Sequence, residues 1–308
     1  MTGVFSGCEA LKTLDISSFD SSQCAIMSAM FNDCKNLETL KIDNLRTDSA
    51  IMLMNMFQNC SSLTSLDLTN FNTPMASTMA SMFSGCTKLR TLLIPNFNTV
   101  NVNIMSGMFQ DCHVLSSIDL SGFDTARVLN MSNMFRNCSA ITELDLSKFD
   151  TEGVTNMSKM FSGCTSIEHL DLSSFKTPEL TDINGMFMDC KNLRAVDLSD
   201  WDASAVTNME GMFYGATTLE DANISDWDMS SATNTANLFR DVRWLPKNVV
   251  IPSSIISVGH HMLASRSIFE FHFRKTTVPT LENTNAFSNM DDAGGKKIYV
   301  PYSADHSI

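Results

Sequence analysis

The sequence is poor in positive charge and in long apolar runs. Its 308 residues carry 21 Lys and Arg against 34 Asp and Glu, a formal net charge of −13. A nucleic-acid-binding protein needs clustered Lys and Arg to displace counterions, and anionic lipid surfaces attract the same residues. The charge balance therefore argues against both kinds of partner. No run approaches the roughly 20 apolar residues that cross a bilayer. The longest candidate, 248–263, is broken by proline, serine, glycine and two histidines.

The chain also lacks the residue groupings that an active site or a metal site requires. Its six histidines are scattered. His113 follows Cys112, but a catalytic Cys–His pair needs hydrogen-bond reach and an activating environment, and Cys112 belongs to a regular series. Zinc ligands come as closely spaced cysteine pairs and calcium loops as D-x-[DN]-x-[DN]-G, and the repeat has neither pattern. We therefore expect no catalytic residues, no metal and no cofactor, and predict that the chain is not an enzyme.

What the sequence does have is a fixed period. Eight of the nine cysteines stand 26 residues apart, and a phenylalanine precedes each of them by three positions. The cysteines are Cys8, Cys34, Cys60, Cys86, Cys112, Cys138, Cys164 and Cys190. The phenylalanine series begins at Phe5 and continues beyond the last cysteine of the series to Phe239. A fixed period over most of a chain is typical of one small unit stacked on copies of itself.

Each unit combines two hydrophobic periods. Leu144 and Leu146 alternate with polar neighbours, as in a strand with one buried face. The next apolar residues fall at i, i+3, i+4 and i+7, which predicts a short helix with one apolar stripe. Those residues are Met157, Met160, Phe161 and Cys164. Thr155 or Asn156 is expected to cap the helix and Gly163 to end it. The unit is therefore predicted to be strand, turn, short helix and turn.

The regular spacing predicts a structural role for the cysteines. Disulfides between neighbouring coils would pair alternate members of the column and strain the stack. Ala216 occupies the same column, so the position requires only a small apolar side chain. Cys24 lies in the column of Val154, another inward position. We predict that the cysteines are reduced and buried.

The unit resembles the repeat of a known family. The run L-x-x-L-D-L-S-x-F-D-T-x-x-V-T-N-M-x-x-M-F-x-G-C is similar to the repeats of the BspA-like leucine-rich-repeat surface proteins of gut and oral bacteria, and it covers Gly3 to about Phe239. The residues from Ile251 to Pro301 resemble a second repeat style of the same family. The resemblance implies a secreted or surface-anchored bacterial adhesion protein that binds host, matrix or cell-surface macromolecules. Related repeats also occur in phage tail and fibre proteins, and the family supplies no catalytic residues.

The repeat and the resemblance together predict an α/β fold. It is a right-handed leucine-rich-repeat solenoid with a parallel β-sheet on one face and short helices on the other. Residues 1–244 are expected to form the solenoid of 26-residue units, and residues 245–308 a divergent repeat and C-terminal capping segment. The capping segment is expected to pair onto the last coil, because an open edge of a parallel sheet invites association with other chains.

Outward positions that vary among coils are the candidates for a site, because packing does not constrain them. One outward strand column carries four aspartates in succession, and a neighbouring column carries a glutamate and a histidine. The candidate ligand face is Asp119, Asp145, Asp171, Asp197, Glu143 and His169. Stacked aspartates repel one another unless cations or hydrogen bonds offset the charge. The face is predicted to receive a basic protein patch or a cation. The alternative is a solvated face whose aspartates accept hydrogen bonds from neighbouring Ser and Thr.

The resulting hypothesis is a non-enzymatic extracellular binding or adhesion module that presents its strand face to a protein or cell-surface ligand. Two alternatives stay open: a receptor-binding or structural module of a phage tail or fibre, and a ligand-free scaffold or spacer. Sugar binding is less supported, because the outward strand columns lack aromatic platforms. Met1 leads directly into the middle of a repeat, so we expect a fragment without its signal or anchor.

Overall fold

The computed structural model describes residues 1–220, 222–242, 248–264, 270–273, 279–281, 284–287 and 297–299. The strands are short and follow one another along the chain as β1 (Thr13–Asp15), β2 (Thr39–Lys41), β3 (Ser65–Asp67), β4 (Thr91–Leu93), β5 (His169–Leu170), β6 (Ala195–Val196), β7 (Asn248–Ile251), β8 (Ser257–Val258), β9 (Glu270–Phe273), β10 (Thr280–Leu281) and β11 (Lys297–Tyr299). A single turn of 3₁₀ helix covers Thr284–Phe287 within these ranges.

Consecutive coils pair in parallel, with each residue opposite its equivalent one repeat later. Strand β1 pairs with β2 so that Leu14 lies opposite Leu40, and β3 pairs with β4 so that Leu66 lies opposite Leu92. Leu66 and Leu92 are buried, while their neighbours in the strands are exposed. This alternation confirms the predicted strand in these coils, and the register confirms a stack of 26-residue coils. The segment around Leu144 and Leu146, on which the prediction was made, does not itself form a strand.

A second parallel ladder runs along another side of every coil. Isolated bridges join residues one repeat apart, from Ile26 with Met52 to Asn208 with Asn234. Each coil adds further backbone bonds to the next, such as Phe109 N–H to Met134 O at 2.9 Å and Asp111 N–H to Arg136 O at 2.8 Å. The coils are therefore held together by backbone hydrogen bonds well beyond the short strands.

The predicted helices are wrong: no α-helix occurs in the described ranges. Lys159 and Gly163 have φ angles of +56° and +74°, and these left-handed residues four positions apart cannot belong to a right-handed helix. Met160 N–H instead closes a tight turn on Met157 O at 3.1 Å, and Phe161 N–H crosses to Met186 O at 3.0 Å. A chain of turns thus satisfies half of its donors locally and half through the next coil.

The turns bury the same residues that a helix would have buried. The side chains predicted to form the apolar stripe are at most 1% exposed, namely Met157, Met160, Phe161 and Cys164. Phe135, Phe161 and Phe187 stack face to face, with ring centroids 5.9 Å apart at each step. Each fully buried phenylalanine contributes about 1.5–3 kcal/mol by leaving water. The aromatic column therefore forms the centre of the core.

A buried hydroxyl column joins the coils on another side. Thr125 Oγ1 donates to Asp150 O at 2.8 Å and accepts from Asp150 N–H at 2.8 Å. Thr151 repeats the arrangement with Lys176, at 2.7 Å and 2.9 Å. Both hydroxyls are 1% exposed. Each hydroxyl thus satisfies one donor and one acceptor of the neighbouring backbone, which removes the cost of burying them unpaired.

The cysteines are free, as predicted, and seven of the nine are buried. In the regular column each thiol donates to the phenylalanine carbonyl of the preceding coil, as from Cys138 Sγ to Phe109 O at 3.1 Å. Burial raises the pKa of Cys112 and of Cys164 to about 12, so these thiols stay protonated. The prediction that the cysteines are buried fails at Cys8, which is exposed in the first coil, and at Cys24, which is half-buried.

The segment after the last regular coil continues the stack. Phe239 N–H donates to Met262 O at 3.0 Å, and Gly259 N–H donates to Thr235 Oγ1 at 2.9 Å. Further along, β7, β9 and β11 form a parallel three-stranded sheet in the order β11-β9-β7. Described residues of the tail thus bond to the last regular coil, and the role of the tail as a cap stays a prediction. The expected division at 244/245 lies outside the described residues and stays a prediction.

Candidate functional site

The four predicted aspartates lie on the surface, one in each of four successive coils. Asp119, Asp145, Asp171 and Asp197 are all exposed. Each follows an inward residue, which is buried in two of the coils and partly buried in the other two, so the alternation turns the carboxylate outward. Coils in a parallel stack lie about 4.8 Å apart, which places these carboxylates in one row. We call these four residues the acidic row.

Each carboxylate in the acidic row is held by a turn. Asp145 Oδ1 accepts from the Ser147 backbone N–H at 3.0 Å and from the Ser147 hydroxyl at 2.6 Å. Asp171 accepts from Ser173 N–H at 3.0 Å. Asp119 and Asp197 make the same backbone bond, to Ser121 and Ser199. The pattern D-L-S fits because aspartate can accept from the backbone two residues on and so begin the bend.

These hydrogen bonds favour the ionised form of the acidic row. Bonds from Ser147 and Ser173 lower the pKa of Asp145 and Asp171 from the ordinary value of 3.8. The side-chain amide of Asn223 does the same for the pKa of Asp197. The charge of Asp145 raises the pKa of Asp171, but this effect is smaller than that of the hydrogen bonds. Hydrogen bonding thus offsets the repulsion along the row, which is the arrangement that the alternative of a solvated face predicted.

Glu143 and His169 lie in a neighbouring exposed column. His169 begins β5 and lies opposite Ala195 of β6. Close by, Arg194 Nε and Glu168 Oε2 are 3.6 Å apart in an exposed ion pair. The strand face is therefore acidic and open, and a shallow recess of about 70 Å³ lies beside Asp145 and Asp171.

The chemistry open to this face is electrostatic. Over the described ranges, no three His, Cys, Asp or Glu side chains approach closely enough to hold one metal ion. A membrane-spanning helix is likewise not found among the described residues. Exposed carboxylates in a row can form ion pairs with a Lys- or Arg-rich surface, and such pairs direct association more than they stabilise it.

Sequence analysis missed a cavity of about 190 Å³ near the end of the regular coils, between Met188, Tyr214 and Arg240. The Arg240 guanidinium lies 5.4 Å from the centre of the Tyr214 ring. Gly211 leaves the space open, since a Cβ there would lie 3.1 Å from the Met188 methyl group. The sequence signal for this cavity was a change of residue type within one column. Met188, Tyr214 and Arg240 occupy positions that hold Asn, Gln, Ser or Arg in the earlier coils.

A second missed feature is an uncharged groove of about 670 Å³ on the bend that follows β3 and β4. Asparagine side chains and Pro95 line much of it, and Gly122 of the next coil forms one end. None of the residues that line the groove was a candidate catalytic, metal-binding or charged residue in the sequence. The only sequence signal is the end of a short asparagine column, where glycine at position 122 follows Asn44, Asn70 and Asn96.

The stack of parallel 26-residue coils with inward leucines defines a leucine-rich-repeat solenoid. The chain belongs to the family described as "Mycoplasma protein of unknown function, DUF285", whose model matches residues 1–110, 53–166 and 130–250. This match confirms the relationship to BspA-like repeat proteins that the sequence predicted.

Two solved structures are similar to this chain at low identity. A leucine-rich repeat protein from Bacteroides ovatus ATCC 8483 is 16% identical, with a TM-score of 0.46 over 93% of this chain and 76% of that one. A leucine rich cell surface protein from Faecalibacterium prausnitzii A2-165 is 17% identical, with a TM-score of 0.29 over 71% of this chain and 74% of that one. No curated protein gives a significant match.

Proposed function

We propose that the chain is a non-enzymatic binding module that acts outside the cell or on its surface and presents its strand face to a protein with a basic patch. The acidic row is the centre of the proposed interface, with Glu143 and His169 at its edge. The extracellular location follows the BspA-like resemblance. The observation that carries the proposal is a row of four exposed carboxylates, each held by a hydrogen bond from its own turn.

Two properties of the row support binding over a purely structural role. The carboxylates are exposed, so the core does not require their charge. An asparagine could accept the same backbone hydrogen bond, as Asn156 Oδ1 does from Ser158 N–H at 2.8 Å. The turns therefore do not need the negative charge of the four aspartates. A single-signed row on a chain of net charge −13 attracts basic partners and speeds their encounter.

The test is a charge-removing double variant, Asp145→Asn with Asp171→Asn. The matched control is Asp124→Asn with Asp150→Asn, which removes the same charge from exposed turns in another column. Asp124 and Asp150 accept backbone bonds from Ala126 and Glu152, at 3.1 Å and 3.0 Å. Because asparagine keeps the turn in every case, both double variants are expected to fold like the parent.

Binding to a lysine-rich folded protein, cytochrome c, would be measured by surface plasmon resonance over a series of salt concentrations. The strand-face variant should raise the Kd several-fold and flatten its salt dependence, while the control stays within about twofold of the parent. Equal weakening by both variants would mean that only net charge matters and would refute the site. A parent chain that does not bind cytochrome c or cultured cells would favour the ligand-free spacer, and a trimer in light scattering the phage-fibre alternative.

A further inference from the structure

The uncharged groove has a structural origin in a column of asparagines that tie successive coils together. Asn44 Nδ2 donates to Ser17 O at 2.9 Å, and Asn96 Nδ2 donates to Thr69 O at 2.6 Å. Asn70 Nδ2 reaches three carbonyls of the preceding coil, at 3.0 to 3.1 Å. Each side chain in this column therefore covers the bend of the coil before it.

Gly122 is the next residue in that column and has no side chain to continue it. The position a Cβ would take lies 3.8 Å from Pro95 O and 4.0 Å from Phe97 O. Within the described part of the chain, neither of these carbonyls accepts a side-chain hydrogen bond of the kind that Asn70 makes to the coil before it. The bend at 95–98 is therefore left uncovered, with carbonyl acceptors facing the groove.

The groove is free of charge although the chain is strongly acidic. Its rim is formed by amides and a proline, namely Asn70, Asn72, Asn96, Asn98 and Pro95, and no ionisable side chain lines it. Asparagine side chains, carbonyl acceptors and the exposed ring of Pro95 thus come together at one place.

We propose that this groove binds a neutral oligosaccharide. Hydroxyl groups of a sugar both donate and accept, so they match carbonyl oxygens and asparagine amides without any need for charge. The exposed ring of Pro95 offers an apolar surface for the C–H face of a pyranose. A volume of about 670 Å³ lies within the range of small-molecule sites and accommodates two or three sugar units. The outward strand columns lack aromatic side chains on which a sugar could stack. This groove lies on the bend beyond those columns.

The decisive variant is Gly122→Asn, which restores the missing side chain. The groove has ordinary van der Waals space for it, and the φ of Gly122 is outside the left-handed region, so asparagine is tolerated there. Ser174→Asn is the matched control: it makes the same residue in the same column two coils later, where Ser174 Oγ donates to Leu146 O at 3.3 Å. Asn72→Ala removes one amide from the rim without a strong internal bond, since Asn72 is 3.4 Å from its partner Asp48.

Maltotriose, cellotriose and chitotriose would each be titrated into the intact chain, with binding followed by ligand-observed NMR and calorimetry. At least one trisaccharide should bind; Gly122→Asn should weaken it about tenfold or more, and Asn72→Ala about threefold to tenfold. Ser174→Asn should bind like the parent, with all variants melting close to the parent temperature.

The proposal is overturned if no trisaccharide binds, if Gly122→Asn binds as well as the parent, or if calcium chloride alone titrates the groove. Cytochrome c binding is measured separately, so either proposal can fail without the other.

Discussion

Cys190 Sγ donates a hydrogen bond to Phe161 O across 3.0 Å, from one coil back to the coil before it. The same contact recurs along the regular column, for example between Cys138 and Phe109 at 3.1 Å. A thiol is a weak donor, yet it fills the space behind the phenylalanine stack and satisfies part of a buried carbonyl. The cysteine column is thus a packing and hydrogen-bonding device, which makes it open to test by substitution.

Cys138→Ala should destabilise the chain by about 1–2 kcal/mol, because it leaves a small cavity and removes the bond to Phe109 O. Ala216→Cys is the reciprocal change and should raise stability by extending the column toward Phe187 O. Urea unfolding followed by circular dichroism measures both. The changes in the free energy of unfolding should have opposite signs for the two variants. A Cys138→Ala variant as stable as the parent would show that the thiol contributes nothing.

Thiol reactivity separates the exposed cysteines from the buried ones. In the native chain an aromatic disulfide reagent should label Cys8 quickly and Cys24 slowly, while the seven buried thiols react only after denaturation. Mass spectrometry identifies the labelled residues. Rapid native labelling of Cys112 or Cys138 would contradict the packing described above.

The same burial gives the stability a dependence on alkaline pH. Burial raises the pKa of Cys34 to about 11 and that of Cys164 to about 12, whereas an unfolded thiol titrates near 9.0. Above that pH the unfolded chain loses thiol protons that the folded chain retains, so stability should fall as the pH rises from 9 toward 12. Thermal melts of the parent and of Cys164→Ala over this range test the sign: the parent should lose stability more steeply.

The buried hydroxyl column predicts a clear contrast between two similar changes. Thr151→Val keeps the shape of the side chain but leaves the N–H and carbonyl of Lys176 without their partner, which should cost about 2–3 kcal/mol. Thr151→Ser keeps the hydroxyl and should cost less than about 1 kcal/mol, as Ser21 fills the same role toward Arg46. Similar unfolding midpoints for the two variants would refute the role of the hydroxyl.

Lys159 occupies a left-handed conformation, with φ at +56°, in a column where most other coils have Asn or Gly. Lys159→Asn should therefore stabilise the chain by about 0.5–1 kcal/mol, because asparagine adopts this conformation at lower cost. Lys148→Asn, on an exposed bend of the same coil, is the control and should be close to neutral. A loss of stability in Lys159→Asn would contradict the turn geometry.

Lys159 also marks the point where the sequence-based prediction went wrong. The i, i+3, i+4, i+7 spacing correctly identified the buried residues from Met157 to Cys164, yet a chain of tight turns buries the same set as a helix. The signal against a helix was present in two columns four residues apart, where Asn, Asp and Gly dominate, as at Asn133 and Asn137. Those residues favour left-handed turns, and their recurrence in every coil was more informative than the apolar stripe.

The outward columns were predictable only in part. The acidic row could be read from spacing, because side chains one repeat apart on a strand must lie side by side. The groove at Gly122 could not, since it depends on the backbone carbonyls of Pro95 and Phe97, which belong to another coil.

The period, the parallel stack, the inward columns and the acidic row are all encoded in the amino-acid sequence, because each follows from which residues recur every 26 positions. How the backbone turns between the columns, which cysteines are covered, and where a missing side chain opens a groove became visible only in three dimensions. Those features depend on φ angles and on backbone atoms of neighbouring coils, and a pattern of side-chain types constrains neither.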